Sequence, residues 1–314
     1  MSVNKSTSTS ASTESTPDQT QTNQQNIANL KPPRRGEVLF LGNVGKHYDA
    51  SKYAPWLAIS LFKVGINTTY TTDPNDLNTE NLSKYDGLIV YANHDSISPA
   101  QEAALKSFVE GGKGLIPLHA AAGCFRNSDW WIKTVGAQYK SETTGTFTTA
   151  IINKSNPVMQ GLSEFETWDE KYVHQKINPD KIVLMERVDG SAREPWTWIR
   201  KQGKGRVFYT AYGHNDTTWA KPGFMKLVNN GVLWAIGDEV KDQIARLNRP
   251  NVDIYNNEIA ADFTKRHLVP KRQVALSPEE SMKLTQVPPD FEVKLFASEP
   301  DISKPIAMSW DEKG

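Results

Sequence analysis

From residue 36 onward the chain alternates short, continuous apolar runs with stretches whose apolar residues recur at helical spacing. Glu37–Asn43 (EVLFLGN) is an apolar run closing on Gly-Asn, the pattern of a buried strand feeding a loop. Residues 44–53 read as that loop, and residues 54–65 (APWLAISLFKVG) read as a helix stopped by Gly65. Residues 66–73 (INTTYTTD) are β-rich, and Asp86–His94 (DGLIVYANH) is a second buried strand. Ser98 is placed to cap a helix over residues 98–112, with Pro99 at its first position and Gly-Gly at its end. Gly114–Gly123 (GLIPLHAAAG) then reads as a buried strand running straight into a helix. Strands that are apolar throughout, rather than at every second position, are buried on both faces and belong to parallel sheets. The order β-α-β-β-α-β-α therefore predicts a doubly wound α/β domain.

The second half is richer in strands, over residues 146–153, 181–188, 195–203 and 205–214, and residues 222–238 form a closing helix. Past Asp238 the apolar density falls, and residues 241–275 read as a linker or wrapping arm. Residues 276–314 read as a capped helix followed by a strand. A segment of that size buries too little to stand alone, so it is expected to be the truncated start of a further domain. Residues 1–35 form a Ser/Thr/Gln-rich tail with too few apolar residues to fold, of the kind that tethers a protein after a cleaved lipoprotein signal. The expected division is a tail (1–35), an α/β domain (36–240), a linker (241–275) and the start of another domain (276–314).

Composition narrows the function by exclusion. The 36 basic and 36 acidic side chains balance, so charge gives no argument for nucleic acid or an anionic membrane as partner. No stretch approaches the ~20 apolar residues of a membrane-spanning helix. A single cysteine excludes an internal disulfide and a Cys-rich metal site. Nine tryptophans and ten tyrosines are mostly core material, although a group of them in a cleft would suit the apolar face of a sugar.

The histidines carry the candidate chemistry. His47, His94, His119 and His214 each follow a strand, and open α/β sheets bind ligands just outside the carboxyl ends of their strands. His174 ends ETWDEKYVH, in the company of Asp169, Glu170 and Tyr172. His267 falls in the linker and reads as structural. Imidazoles beside a carboxylate suit either a divalent metal such as zinc or acid–base chemistry near neutral pH, and the spacing does not choose between them. Cys124 lies five residues beyond His119 and just before the bulky Phe125, away from the sharp turn a nucleophile needs, and reads as a small buried hydrophobe. Gly42 and Gly45 complete neither a dinucleotide-binding nor a P-loop pattern.

Three segments together, residues 110–123 (EGGKGLIPLHAAAG), 166–174 (ETWDEKYVH) and 203–238 (GKGRVFYTAYGHNDTTWAKPGFMKLVNNGVLWAIGD), resemble the ThuA-like (trehalose utilisation) family over residues 36–238. The resemblance implies a flavodoxin-like doubly wound three-layer sandwich similar to class I glutamine amidotransferases. Where those enzymes carry a nucleophilic cysteine, this chain reads Leu118-His119-Ala120-Ala121, so amidotransferase activity is not implied. It implies instead a role in glycoside metabolism, in particular on 3-keto-glycosides formed by a partner dehydrogenase. The catalytic candidates matching the family motifs are His119, Asp169, Glu170, His174 and His214, with His119, His174 and His214 as ligands if a divalent metal is held. The competing reading is a saccharide-binding or docking module without catalysis. Residues 276–314 resemble the opening of the propeller domain of exported sugar-dehydrogenase-like proteins, often followed by a c-type haem domain. That likeness implies a periplasmic or cell-envelope location, with the cytoplasm as the alternative.

Overall fold

The structure is a computed structural model and describes residues 31–45, 49–248, 276–303 and 309. His47, His267 and most of the expected tail and linker lie outside the described residues.

The apolar runs form the expected parallel strands. β1 (Gly36–Gly42) pairs in parallel with β2 (Ile66–Thr71) on one side and β3 (Gly87–Tyr91) on the other. β4 (Gly114–Pro117) continues the parallel ladder from β3, and the late strand β10 (Gly205–Thr210) completes it beside β4. The resulting order, β2-β1-β3-β4-β10, is that of the flavodoxin-like sheet. Three antiparallel strands extend it beyond β10: β9 (Ala192–Gln202), β8 (Ile182–Asp189) and β6 (Thr149–Ile151).

Helix α1 (Ala50–Lys63) packs on β1 and β2, and α6 (Pro222–Ala235), which follows the short helix α5 (Asp216–Trp219), packs on β4 and β10. α3 (Pro99–Glu110) has the expected cap: the Ser98 hydroxyl accepts from the Gln101 N–H, the Gln101 side chain accepts from the Ser98 N–H, and Pro99 sits at the first position. Four of the nine tryptophans (131, 196, 198 and 219) are fully buried among the core aliphatics, which accounts for much of the aromatic content.

Five local readings are corrected. α1 begins at Ala50, because the Asp49 carboxylate accepts the Ser51 N–H and starts the helix four residues early, leaving Pro55 inside it. A short helix, α2 (Thr79–Leu82), lies between β2 and β3. His119 does not open an α-helix. Its backbone is left-handed (φ 42°), residues 119–123 form one 3₁₀ turn, and the helix proper is α4 (Asp129–Val135), capped by Ser128. The segment after Asp238 starts as helix α7 (Asp238–Ala245), whose Val240 and Ile244, four residues apart, pack over Gly36 at the start of β1. Residues 276–303 hold the capped helix α8 (Pro278–Met282), but the strand expected after it does not form among the described residues, where residues 291–298 carry no regular structure.

A separate two-stranded ribbon, β5 (Gln138–Phe147) with β7 (Thr167–Gln175), is antiparallel and was unforeseen. It matters because β7 is the stretch that carries Asp169, Glu170 and His174.

Candidate active site

Glu170 brings the site together. Its Oε2 lies 3.2 Å from Nε2 of His119, and its Oε1 lies 3.4 Å from Nδ1 of His214. One ligand-capable atom from each of the three residues falls within 4.8 Å of the others. The cluster sits in a cleft of about 400 Å³, also lined by Asn43, Asn93, Arg126, Tyr139, Glu142 and Tyr172. Asn43, Asn93, His119 and His214 follow β1, β3, β4 and β10, so the cleft lies at the carboxyl ends of the parallel strands, around the reversal between β1 and β3. The ribbon closes it from the other side: Glu170 and Tyr172 share one face of β7, and Glu142 stands opposite Tyr172 on β5.

Both histidines are held from behind, His119 through its side chain and His214 through its main chain. Nδ1 of His119 is 2.8 Å from the Ala211 carbonyl, which can only accept, so Nδ1 carries the proton. The His119 ring stacks on Tyr172 at 4.2 Å. Left-handed backbone is uncommon outside glycine, and His119 takes it at the turn that follows β4.

His214 is fixed through its main chain. The Asp169 carboxylate, fully buried, accepts from the N–H groups of Glu170 (2.9 Å), Gly213 (3.0 Å), His214 (3.1 Å) and Asn215 (3.1 Å) and from the Thr218 hydroxyl (2.6 Å). The Gly213 carbonyl accepts from the Tyr91 hydroxyl and the Trp219 indole, both at 2.7 Å. Gly213 takes φ 126°, a conformation that needs glycine.

The sequence candidates therefore separate. His119, Glu170 and His214 converge. Asp169 shapes the loop that carries His214, with its oxygens occupied by that loop. His174 stays apart: its Nδ1 is 2.8 Å from Glu194, its Nε2 is 3.2 Å from the Tyr209 hydroxyl, and it is buried. On a strand it stands about 13 Å from Glu170. The residues whose ligand-capable atoms the structure brings within 4.8 Å of one another are His119, Glu170 and His214; His174, expected beside His119 and His214, is not among them. His94 packs its ring on Phe125 (6.1 Å) and is not among the cleft residues; burial lowers its proton affinity. Cys124 is buried, and burial pushes its thiol far above the ordinary cysteine range, which disfavours the thiolate a nucleophile needs. Sequence reasoning missed Asn93, Arg126, Tyr139 and Glu142. The polar pattern of β5 hid the last two, and Asn93 is foreshadowed only by its place after a buried strand.

The Nε2 atom of His119 makes the site chemically specific. With the proton on Nδ1, a neutral ring presents a lone pair at Nε2 to a carboxylate oxygen 3.2 Å away. The two atoms are close enough for an ion pair, yet Nε2 is buried without a hydrogen bond of acceptable geometry. Two lone pairs repel unless positive charge lies between or beside them, either as a proton or as a metal cation. Two imidazoles and a carboxylate are a donor set that binds catalytic zinc, and an Nδ1–H donated to a backbone carbonyl is the usual support for such a ligand.

The sheet order and a cleft at its switch point define a flavodoxin-like α/β fold, as the expected similarity to class I glutamine amidotransferases requires. The model of the ThuA family, described as trehalose utilisation, matches residues 37–235, and the chain belongs to that family. Residues 277–314 match a second family described as a domain of unknown function (DUF7133). Two solved structures share the fold. A ThuA-like protein from Bacteroides uniformis ATCC 8492 is 21% identical, with TM-score 0.55, over 66% of this chain and 93% of that one. A ThuA-like protein from Parabacteroides merdae ATCC 43184 is 18% identical, with TM-score 0.55, over 66% and 90%. No curated protein matches the chain. No helix among the described residues is long and apolar enough to cross a membrane.

Proposed function

We propose that the chain cleaves glycosides whose sugar carries a ketone, 3-keto-glycosides in particular, at the centre formed by His119, Glu170 and His214. The observation that carries this reading is the close approach of the Glu170 carboxylate to both imidazoles, with a buried Nε2 of His119 that lacks a hydrogen bond. Family membership supplies the sugar context. The cleft supports it with a buried, unpartnered Asn93 Oδ1, an acceptor suited to a sugar hydroxyl, and with the Arg126 guanidinium at its edge.

A ketone acidifies the proton on the neighbouring carbon, so cleavage needs a base to take that proton and an acid to protonate the leaving oxygen; the glycosidic C–O bond breaks as a carbon–carbon double bond forms, and addition of water across that bond then gives the free keto sugar. Glu170 is positioned as the base. His214, on the more exposed side of Glu170, is positioned as the acid. A divalent metal such as zinc fits the same His119–Glu170–His214 donor set; held there it would polarise the ketone and would take up the Glu170 and His214 atoms that otherwise serve as base and acid. His119 then serves to fix Glu170 and the charge beside it, and its Nδ1–H contact with Ala211 keeps Nε2 facing the cleft.

The saccharide-binding reading uses the same cleft and predicts binding without turnover. Attachment to a propeller domain, with a c-type haem domain and an envelope location, also belongs to this proposal. The match of residues 277–314 to a second family supports a further domain type there. The test is release of free sugar from a 3-keto-glucoside by purified protein, with elemental analysis of the same sample. Turnover that disappears in His119→Ala supports the enzyme. Binding without turnover moves the function to the binding module.

A further inference from the structure

Behind the cleft runs a buried polar chain that the proposed reaction does not use. Glu194 on β9 accepts from both the backbone N–H (3.0 Å) and Nδ1 (2.8 Å) of His174 on β7. Nε2 of His174 faces the Tyr209 hydroxyl at 3.2 Å, and that hydroxyl lies 3.4 Å from the carbonyl oxygen of His119. His174 and Tyr209 are buried, and Tyr209 is stacked on Trp198 at 4.2 Å. The chain thus joins a carboxylate with partial access to solvent (Glu194 side chain 19% exposed) to the main chain of the left-handed histidine.

The Tyr209 hydroxyl has one proton and two acceptors within reach. Glu194 takes the Nδ1 proton of His174, so a neutral His174 has a lone pair at Nε2. The Tyr209 hydroxyl then donates to that lone pair, and the His119 carbonyl gains nothing from it. When a proton is added at Nε2, both ring nitrogens donate. The Tyr209 oxygen becomes the acceptor from His174, and its own O–H turns to the His119 carbonyl. The balance is one proton taken from solvent on to Nε2; no covalent bond breaks, and the phenol stays protonated.

We propose that His174 and Tyr209 are positioning residues for His119, with the Tyr209 hydroxyl passing the protonation state of His174 to the His119 carbonyl. The proposal rests on the reading of His119 as a functional histidine, but its primary test does not require turnover. The groups facing His174 are Tyr172 on its own strand, Tyr139 across the ribbon, Arg187 on β8 with Lys181 just before it, Glu194 and Trp198 on β9, and Tyr209 on β10. Burial lowers the proton affinity of His174 below the ordinary histidine range, Glu194 acts to raise it, and Lys181 and Arg187 act to lower it. Burial also keeps the Tyr209 phenol protonated. The transition therefore falls on the acid side of an ordinary histidine titration.

The sequence supplies a clean probe, because His119–Ala120 is its only His-Ala pair. Protein carrying carbonyl-¹³C histidine and ¹⁵N alanine gives one carbonyl-to-amide signal, from the His119 carbonyl. In a second sample, ring-labelled histidines report each imidazole. In wild type the His119 carbonyl signal is expected to show a component that moves with the midpoint of the His174 ring. In Tyr209→Phe the His174 component is expected to vanish while the His174 ring still titrates. In Glu194→Gln the His174 ring and the carbonyl component are expected to shift together to lower pH. A carbonyl signal that ignores His174 in wild type overturns the proposal, as does one that still follows it in Tyr209→Phe or that shifts separately from the ring in Glu194→Gln. If the proposed cleavage is also right, Tyr209→Phe lowers kcat roughly tenfold with KM little changed. Absence of turnover in wild type defeats the functional reading and leaves the coupling test intact.

Discussion

Replacing Asp169 by asparagine tests the claim that this carboxylate holds the His214 loop. Oδ1 accepts three backbone N–H groups, from Glu170, His214 and Asn215, and Oδ2 accepts the Gly213 N–H and the Thr218 hydroxyl. An asparagine oxygen can keep the first set. Its NH₂ group then faces the Gly213 N–H, donor against donor. The Thr218 hydroxyl can turn to accept, but the hydrogen bond it now accepts from the Thr167 hydroxyl, 2.8 Å away, must then reverse. One orphaned buried N–H costs about 1–3 kcal/mol, and three charge-assisted bonds reduced to neutral ones lose about 1 kcal/mol each. Loop relaxation recovers part of this, so the expected loss is about 3–5 kcal/mol. Urea unfolding followed by tryptophan fluorescence measures it, since Trp219 donates into the same loop. The slope with urea should stay constant while the midpoint falls. A loss below about 1 kcal/mol would refute the assignment of Asp169 as the anchor of the loop.

Three further outcomes follow from the packing. Cys124 should react with a thiol reagent only as fast as the protein opens, and Cys124→Ala should leave sugar release unchanged; rapid labelling of folded protein would contradict its burial. For Asp86, burial acts to raise the carboxyl, but Arg34, the Glu37 N–H and Lys113 outweigh it and hold it below its ordinary value. Its stabilising contribution is therefore present above the ordinary aspartate range and lost as pH falls through its lowered folded value, and Asp86→Asn should flatten the acid limb of a stability–pH curve. Gly231 lies in α6 with the Phe208 ring only 2.5 Å from where a Cβ would sit. Alanine favours a helix by about 1 kcal/mol, yet Gly231→Ala should lose about 1–3 kcal/mol by pushing α6 off β10, readable as a lower melting temperature.

The parallel half of the sheet was legible because strands buried on both faces leave uninterrupted apolar runs, and β1, β3, β4 and β10 are of that kind. The ribbon was not. Most of β5 is exposed, so Gln138–Phe147 shows no alternation to read, and its partner β7 went unassigned as a strand. That omission blurred the site. Once residues 167–175 are known to be extended, alternation puts Asp169 and Glu170 on opposite faces and separates loop anchor from cleft group. The same strand geometry carries His174 too far from Glu170 to share its partners. The histidine turn was located but misread, since nothing in Leu118–Ala121 announces a left-handed residue at His119. The helix after Asp238 was lost in a polar background because two buried apolar residues, Val240 and Ile244, suffice to dock it.

The central claim is that Glu170, between His119 and His214, is the reacting group of the cleft. The most direct measurement is kcat/KM for sugar release from a 3-keto-glucoside by Glu170→Gln beside wild type, with unfolding curves confirming that both are folded. The account predicts a fall of roughly 10²–10⁴-fold in the variant. Turnover at the wild-type rate in folded Glu170→Gln would contradict it.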